Sequence, residues 1–327
     1  MAKLLSTQNL SIGYGKKIIQ HNLNLSVDRG ALISLIGTNG AGKSTLLRTI
    51  SALQPALSGT IEIEGTDISQ LSTHRRAQLL AIVLTEKIEI DNLSVRQLVS
   101  MGRFPYTNWV GNLSDKDNSI IDKAISDVNL THKADADINH ISDGEKQRAV
   151  IAKALAQDTP LILLDEPTAH LDLPNRIETM MLLQRLAVTT NKTFILSSHE
   201  LDLALQISNQ IWLMTTNGIE VGIPEDLILN GSFPRAFVSN NYTFDMSDGR
   251  CIINNLYGNS SVTVTGDDNS IYQQIWLKRA LMRVGIKVSD KANTTLHCTA
   301  QGYNVTTEGT KYPTIELLLN HLNTIEL

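Results

Sequence analysis

Residues 37 to 45 read Gly37-Thr38-Asn39-Gly40-Ala41-Gly42-Lys43-Ser44-Thr45, the spacing Gly-x-x-x-x-Gly-Lys-Ser that wraps a backbone around phosphate. Glycines let the chain curl until its N–H groups point inward. A helix opened by Leu46-Leu47-Arg48 adds the partial positive charge of its N-terminus. In such a loop Lys43 reaches the β- and γ-phosphates of a nucleoside triphosphate, and the Ser44 hydroxyl ligates Mg²⁺. A second pair of reactive groups, Asp165-Glu166, follows the apolar run Leu161-Ile162-Leu163-Leu164. Asp165 suits the Mg²⁺ shell. Glu166, one residue on and turned the other way, suits a general base that polarises an attacking water. Together these residues would hydrolyse a bound triphosphate.

Placing them side by side needs a parallel sheet. Ala31-Leu32-Ile33-Ser34-Leu35-Ile36 leads into the loop and Leu161 to Leu164 leads to the carboxylates. Both are short unbroken apolar runs of the kind buried on two faces, with ligands gathering at their carboxyl ends. In contrast, Leu10-Ser11-Ile12-Gly13-Tyr14, Leu23-Asn24-Leu25-Ser26-Val27 and Thr60-Ile61-Glu62-Ile63-Glu64-Gly65 alternate like half-buried antiparallel strands. Between the two reactive runs, Ile141-Ser142-Asp143-Gly144-Glu145-Lys146-Gln147 precedes Arg148 to Leu155, whose small and apolar residues suit an amphipathic helix. The fold class is α/β. No internal repeat or low-complexity tract is present, which excludes a tandem cassette and a solenoid.

In order and spacing these motifs resemble the nucleotide-binding subunits of ATP-binding-cassette (ABC) transporters, whose signature Leu-Ser-Gly-Gly-Gln/Glu precedes just such a helix. The resemblance covers about residues 1 to 230. It implies a phosphate-loop ATPase domain with a helical subdomain, with ATP and Mg²⁺ as cofactors. Residues Gly37 through Thr45 would bind ATP and Tyr14 would stack on adenine. Ser142, Asp143, Gly144 and Glu145 form the signature, and Ala169-His170-Leu171-Asp172 forms the D-loop with Asp172 at its end. His199, in Ile195-Leu196-Ser197-Ser198-His199-Glu200, matches the switch histidine that touches the γ-phosphate beside the catalytic Glu166.

Two positions depart from the family. Asp143 stands at the signature's first glycine, and its tolerance of unusual backbone angles makes it a plausible glycine substitute. In Leu80-Ala81-Ile82-Val83-Leu84-Thr85-Glu86-Lys87 the usual glutamine that contacts Mg²⁺ is missing. Thr85 aligns with it and Glu86 is the neighbouring oxygen donor, so the metal set is Ser44, Asp165 and one of these two.

Between the loop and the signature, residues from Leu93 to about Leu130 form a polar, helical insert. In the family this subdomain docks against the membrane subunits. Within it, Gly102-Arg103-Phe104-Pro105-Tyr106 resembles a Gly-Arg-x-Pro-Tyr stretch of ATPases that energise uptake of iron-siderophore complexes, haem and cobalamin. Taken alone it is a helix ending at a Pro-containing turn with a surface aromatic. The resemblance implies a homodimer paired head to tail, with ATP on one copy completed by Ser142 and Gly144 of the other. Its partners would be permease subunits and, indirectly, a substrate-binding protein, at the cytoplasmic face of the inner membrane.

Composition agrees. The 327 residues carry 28 basic and 33 acidic side chains, a net charge of −5, with no basic block that would suit nucleic acid. Two cysteines, Cys251 and Cys298, indicate neither a disulfide framework nor a cysteine metal site. No apolar stretch is long enough to span a bilayer, and Met1 to Ser6 lacks a signal-peptide pattern.

The organisation expected is an ATPase domain over 1–230, its helical subdomain about 88–155, a tail hairpin over 231–256 around an Asp-Gly turn, and a C-terminal α+β domain over 257–327. That last domain reads as a strand at Ser261 to Thr265, a helix from Ile271 to Val284, strands at Thr295 to Thr299 and Tyr303 to Thr306, and a helix from Thr314 to Leu322. It holds no catalytic constellation. Two roles stay open for it, a packing or dimer-stabilising appendage and a ligand-sensing regulator. For the whole chain the alternatives to an importer ATPase are a soluble non-transport ABC ATPase, for example in iron-sulfur cluster assembly, and a regulatory nucleotide-binding protein.

Overall fold

The computed structural model describes residues 3–85, 92–107, 111–237, 241–246, 249–253, 260–306 and 309–324. The chain begins with β1 (Leu5–Tyr14), β2 (Lys17–Leu23), β3 (Ser26–Val27) and β4 (Leu32–Gly37), then α1 (Lys43–Ile50), β5 (Ser58–Ile63), β6 (Thr66–Asp67), α2 (Thr73–Leu79) and β7 (Leu80–Val83). The helical insert supplies α3 (Val95–Ser100) and α4 (Asp115–Asp127), followed by α5 (Asp143–Ala156). Next come β8 (Leu161–Leu164), α6 (Leu173–Thr190), β9 (Thr193–Ser197), α7 (Leu201–Ile207), β10 (Gln210–Thr215), β11 (Gly218–Gly222), α8 (Pro224–Leu229) and α9 (Ser232–Ala236).

A six-stranded sheet runs in the order β11-β10-β4-β9-β8-β7, parallel except for β11. Every residue of β4, β8 and β9 is buried. Their alternate side chains feed two cores, because successive Cβ atoms point to opposite faces. Leu32, Ile162, Leu164, Phe194 and Leu196 pack with apolar residues of α3 to α6. Ile33, Leu35, Leu161, Leu163, Ile195 and Trp212 pack with α1 and an antiparallel sheet ordered β2-β1-β5-β6, where β3 also pairs with β1.

The alternating segment Leu23 to Val27 is not one strand. β2 stops at Leu23 and β3 starts at Ser26. Asn22 takes a left-handed φ of 54°, and Asn24 Oδ1 accepts from Asn9 N at 2.9 Å while its amide donates to Asn22 O at 3.0 Å. These local bonds compete with the ladder.

The insert is helical as expected, with serine capping boxes opening α3 at Ser94 and α4 at Ser114. Residues Met101–Tyr106 form a 3₁₀ helix containing Pro105. Arg103 is only 3% exposed. Its Nε donates to Asp117 Oδ1 at 2.8 Å, its Nη1 donates to Ala156 O at 2.8 Å, and its guanidinium lies 4.0 Å from the Tyr106 ring centroid. The bonds Ser114 donates through its hydroxyl and backbone N–H, with Arg103 helping, lower the Asp117 pKa to about 2. Gly102 allows close approach, since a Cβ there would fall 2.2 Å from Lys153 O. The Gly-Arg-x-Pro-Tyr stretch therefore has a structural task, clamping the insert to the end of α5.

Two compact units emerge. One comprises Met1–Phe237 with Met246–Arg250, and the other Val238–Asp245 with Cys251–Leu327. The tail segment starts as helix α9, so the hairpin is confined to β12 (Tyr242–Asp245) and β13 (Arg250–Ile253). Gly249 has the positive φ of 74° that its turn requires, while Ser247 and Asp248 lie outside the described residues. So does the polar stretch 254–259.

The second unit has β14 (Ser261–Gly266), α10 (Ile271–Arg283), β15 (Lys287–Val288), β16 (Thr294–Thr299), β17 (Gly302–Val305), β18 (Lys311–Tyr312) and α11 (Ile315–Leu322). Its sheet is ordered β15-β14-β16-β17-β18, over a small core of Val262, Leu277, Leu281, Leu296, Val305 and Leu318. The two-residue strands β15 and β18 carry too little pattern to be read in sequence. Cys298 is buried in this core, which pushes its thiol pKa up to about 11.

Candidate nucleotide site

The phosphate loop joins β4 to α1. Gly40 and Gly42 take left-handed φ values of 79° and 108°, a bend that favours glycine. Thr38, Asn39 and Gly40 are exposed at the tip, while Ala41, Lys43 and Thr45 are buried. Ala41 N donates to Thr38 O at 3.2 Å. At Gly37 a Cβ would meet Met214 O at 2.3 Å, so the loop leaves the sheet too close to β10 for a side chain.

Lys43 Nζ donates to Gly37 O at 2.8 Å and to Thr38 O at 3.3 Å, which holds its ammonium under the loop. Burial lowers its pKa, opposed by the nearby charges of Glu166 and Asp165. Tyr14, at the end of β1 and 52% exposed, accepts a hydrogen bond from Thr45 Oγ1 at 3.1 Å. That bond places its ring beside the start of α1.

The carboxylates meet this loop from β8. Asp165 Oδ1 accepts from Ser44 Oγ at 2.9 Å and from Ser197 Oγ at 2.7 Å. Ser197 in turn accepts from Glu166 N at 2.8 Å. His199 Nε2 lies 2.9 Å from Glu166 Oε1, a bond in which the ring N–H donates to the carboxylate. Asp165 and Glu166 do face different partners, but strand alternation is not the cause. β8 ends at Leu164, and Glu166 turns through a left-handed φ of 49°.

Thr85 Oγ1 donates to Asp165 O at 2.9 Å, so its hydroxyl braces the backbone of the carboxylate. Glu86 lies outside the described residues.

The signature opens α5. Ser142 is its N-cap, accepting from Glu145 N at 3.3 Å, and Glu145 Oε2 accepts from Ser142 N at 2.8 Å. The bonds that Ser142 donates to this carboxylate, first from its backbone N–H and then from its hydroxyl at 3.0 Å, lower the Glu145 pKa. Asp143 needs no glycine-like backbone. It is the first helical residue, is not among the positive-φ positions, and its exposed carboxylate stands 3.8 Å from Lys146 Nζ. An acidic side chain in a helix's first turn is favoured there by the macrodipole.

Gly144 is buried, and a Cβ on it would come 2.2 Å from Asn175 Oδ1. Asp172 caps α6 by accepting from Asn175 N at 3.1 Å and from Asn175 Nδ2 at 2.7 Å. Asn175 thus ties the D-loop to the signature.

Several site-supporting residues escaped the sequence reading. Ser197 lay within a recognised run but had no assigned task. Gln20 is buried in β2 and donates to Ala41 O at 3.3 Å and Thr215 O at 2.6 Å, bracing the loop from behind. For Asn175 the signal was present, an Asp-x-x-Asn spacing at a helix start.

Hard oxygen donors at Ser44 and Asp165, beside a buried ammonium and a glycine loop at a helix N-terminus, fit a magnesium-nucleotide. The fold and site therefore define a phosphate-loop nucleoside triphosphatase built on a parallel sheet. Residues 20–169 match the ABC transporter family model, and residues 259–323 match the iron ABC transporter C-terminal domain. An uncharacterized ABC transporter ATP-binding protein of Methanocaldococcus jannaschii is 37% identical over 226 residues, 69% of this chain and 78% of that protein.

A probable siderophore transport system ATP-binding protein of Bacillus subtilis is 38% identical over 68% of this chain and 82% of its own length. The iron(3+)-hydroxamate import ATP-binding protein of the same organism is 40% identical over 63% and 76%. An ATP-binding cassette of an ABC transporter in its ADP conformation superposes with a TM-score of 0.65 at 22% identity, covering 72% of this chain and 97% of that one, a likeness of fold. The chain belongs to the ATP-binding proteins of ABC transporters. It is an ATPase coupled to transport.

Proposed function

We propose that this chain energises import of iron complexes, siderophore-bound or haem, or of cobalamin, and that it hydrolyses ATP with Glu166 as general base. What supports the chemistry is one arrangement, the Asp165 carboxylate bridging Ser44 and Ser197 at 2.9 and 2.7 Å, with Glu166 and His199 paired at 2.9 Å beside it. Ser44 and Asp165 would hold Mg²⁺, which when bound neutralises charge on the phosphate oxygens. Lys43 exchanges its bonds to Gly37 O and Thr38 O for bonds to the β- and γ-phosphates. Tyr14 gives the adenine a face to stack on. His199 donates to Glu166 Oε1 and orients that carboxylate, whose free oxygen takes the proton of the attacking water.

The importer assignment rests on the match of the C-terminal region to an iron-transporter domain and on the import names of the relatives. The non-transport and purely regulatory alternatives have no comparable support. In this reading two copies pair head to tail, with Ser142 and Gly144 of one facing the nucleotide on the other. The dimer sits peripherally at the cytoplasmic face of the inner membrane beneath its permease, served by a substrate-binding protein. Residues 1–230 form the ATPase domain, with the helical subdomain at about 88–155, and the appendage beyond the 231–256 tail is separable. A chain cut near Gly258 should still fold, bind ATP and hydrolyse it.

Glu166→Gln tests the chemistry. The expected result is retained ATP binding with turnover reduced by about 10²–10⁴-fold, the range for loss of a positioned base. Steady-state hydrolysis near wild type would remove Glu166 from its role.

A further inference from the structure

Among the described residues of the C-terminal unit, the outward face of α10 gathers exposed apolar side chains as no other surface does. Ile271, Tyr272, Ile275 and Trp276 are 58, 77, 44 and 58% exposed on its first two turns, a concentration of large apolar area that needs explaining. The opposite face, through Leu277 and Leu281, is fully buried in the unit's own core. The helix is also polarised. Arg279 and Arg283 are exposed toward its C-terminal end, and Arg279 already lies 5.1 Å from the Trp276 ring. No acid occurs within Ile271–Arg283, whereas Asp268 is exposed in the turn just before it.

We propose that α10 pairs antiparallel with α10 of a second copy of this chain, in the register that sets Asp268 against Arg283. That register has a consequence the sequence alone fixes. The midpoint between 268 and 283 falls between Ile275 and Trp276, so each Ile275 meets the partner subunit's Trp276 at the two-fold axis. The same register sets Tyr272 against the partner subunit's Arg279, a guanidinium over an aromatic face. Acid meets base at the rim, cation meets ring inside it, and aromatic meets aliphatic at the centre, the layering of a specific interface. A parallel arrangement would bring Arg279 and Arg283 together with their own copies and is disfavoured by repulsion.

The pairing uses no nucleotide and none of the residues assigned to ATP. Its test is therefore made without nucleotide or Mg²⁺, where the head-to-tail ATP-dependent pairing is absent, so failure here and failure of the proposed catalysis are separate results. Sedimentation equilibrium of the full chain should give a dimer. Ile275→Asp and Trp276→Ala should raise its dissociation constant by about tenfold or more, as expected of central anchors. Circular dichroism and the urea midpoint of each variant should stay at the wild-type level, which certifies the fold of the unit carrying α10. Asp268→Arg and Arg283→Asp should each weaken the dimer, and the chain carrying both should regain it. A nucleotide-free monomer, or a dimer indifferent to all four substitutions, would overturn the proposal. So would failure of the double reversal to recover, or a monomer that instead sediments with vesicles rich in anionic lipid.

Discussion

At the carboxyl edge of the six-stranded sheet the polar side chains are one another's partners, whereas on α10 large aromatic and aliphatic side chains stand in water. Ser44, Ser197, Asp165, Glu166 and His199 form one hydrogen-bonded series there, held by strands buried on both faces. Ile271, Tyr272, Ile275 and Trp276 meet nothing comparable. The contrast separates two kinds of readiness. Pre-positioned oxygens lose little freedom when a charged ligand arrives, so they favour a small, polar, exchangeable occupant. An exposed aromatic stripe gains only by exclusion of water, so it favours another protein surface.

The sharpest way to break the contrast lies in the large unit but away from its strand ends. If wiring in that unit is also what holds it together, Arg103→Leu should cost about 3–5 kcal/mol in urea denaturation, because Asp117 is left buried without its cation. A cost near zero would mean the insert is held by its apolar core alone.

Next in size is Ser197→Ala, which removes one partner each from Asp165 and Glu166 N. Stability should fall by about 1–3 kcal/mol. Turnover should fall more than ATP affinity, because the residues displaced are those to which the proposed mechanism gives the metal and the attacking water. An unchanged kcat would show that the series is ornamental to catalysis.

Acid should probe the same unit. The Asp117 carboxyl titrates at about 2 rather than 3.8, so the stabilisation it gives the insert is complete above the ordinary value and is lost as pH falls toward 2. Asp117→Asn should flatten that part of the acid-unfolding curve, followed by circular dichroism between pH 5 and pH 2. The smallest effect is expected at Asp143→Gly. Loss of an exposed first-turn acid 3.8 Å from Lys146, together with the added unfolded-state freedom of glycine, should cost about 1 kcal/mol by thermal melting.

Legibility differed along the same line. The loop, β4, β8 and the carboxylates could be read because buried parallel strands have continuous apolar runs and phosphate loops have rigid glycine spacing. Ser142 and Glu145 were legible as a signature, and their capping box gives that reading a local physical cause. Gln20 and Ser197 were not, since a polar residue in a strand announces neither its partner nor its distance in sequence. Asp143 was misjudged as a stand-in for glycine's backbone freedom, because the sequence does not tell whether a signature residue precedes a helix or begins it. Asn24 broke a strand that alternation had joined. Thr85 was weighed as a metal ligand, and only the chain's path shows its hydroxyl donating to Asp165 O.

The left-handed backbone of Glu166 carries a consequence for any attempt to harden this enzyme. An L side chain in that region costs about 1–2 kcal/mol, and glycine would relieve it at an added unfolded-state entropy of about 0.4–1 kcal/mol. A library sorted for heat resistance alone would therefore drift toward glycine at 166 and discard the carboxylate with the strain. Robustness and turnover pull this position in opposite directions, so thermostable clones should be screened for lost hydrolysis at this codon first.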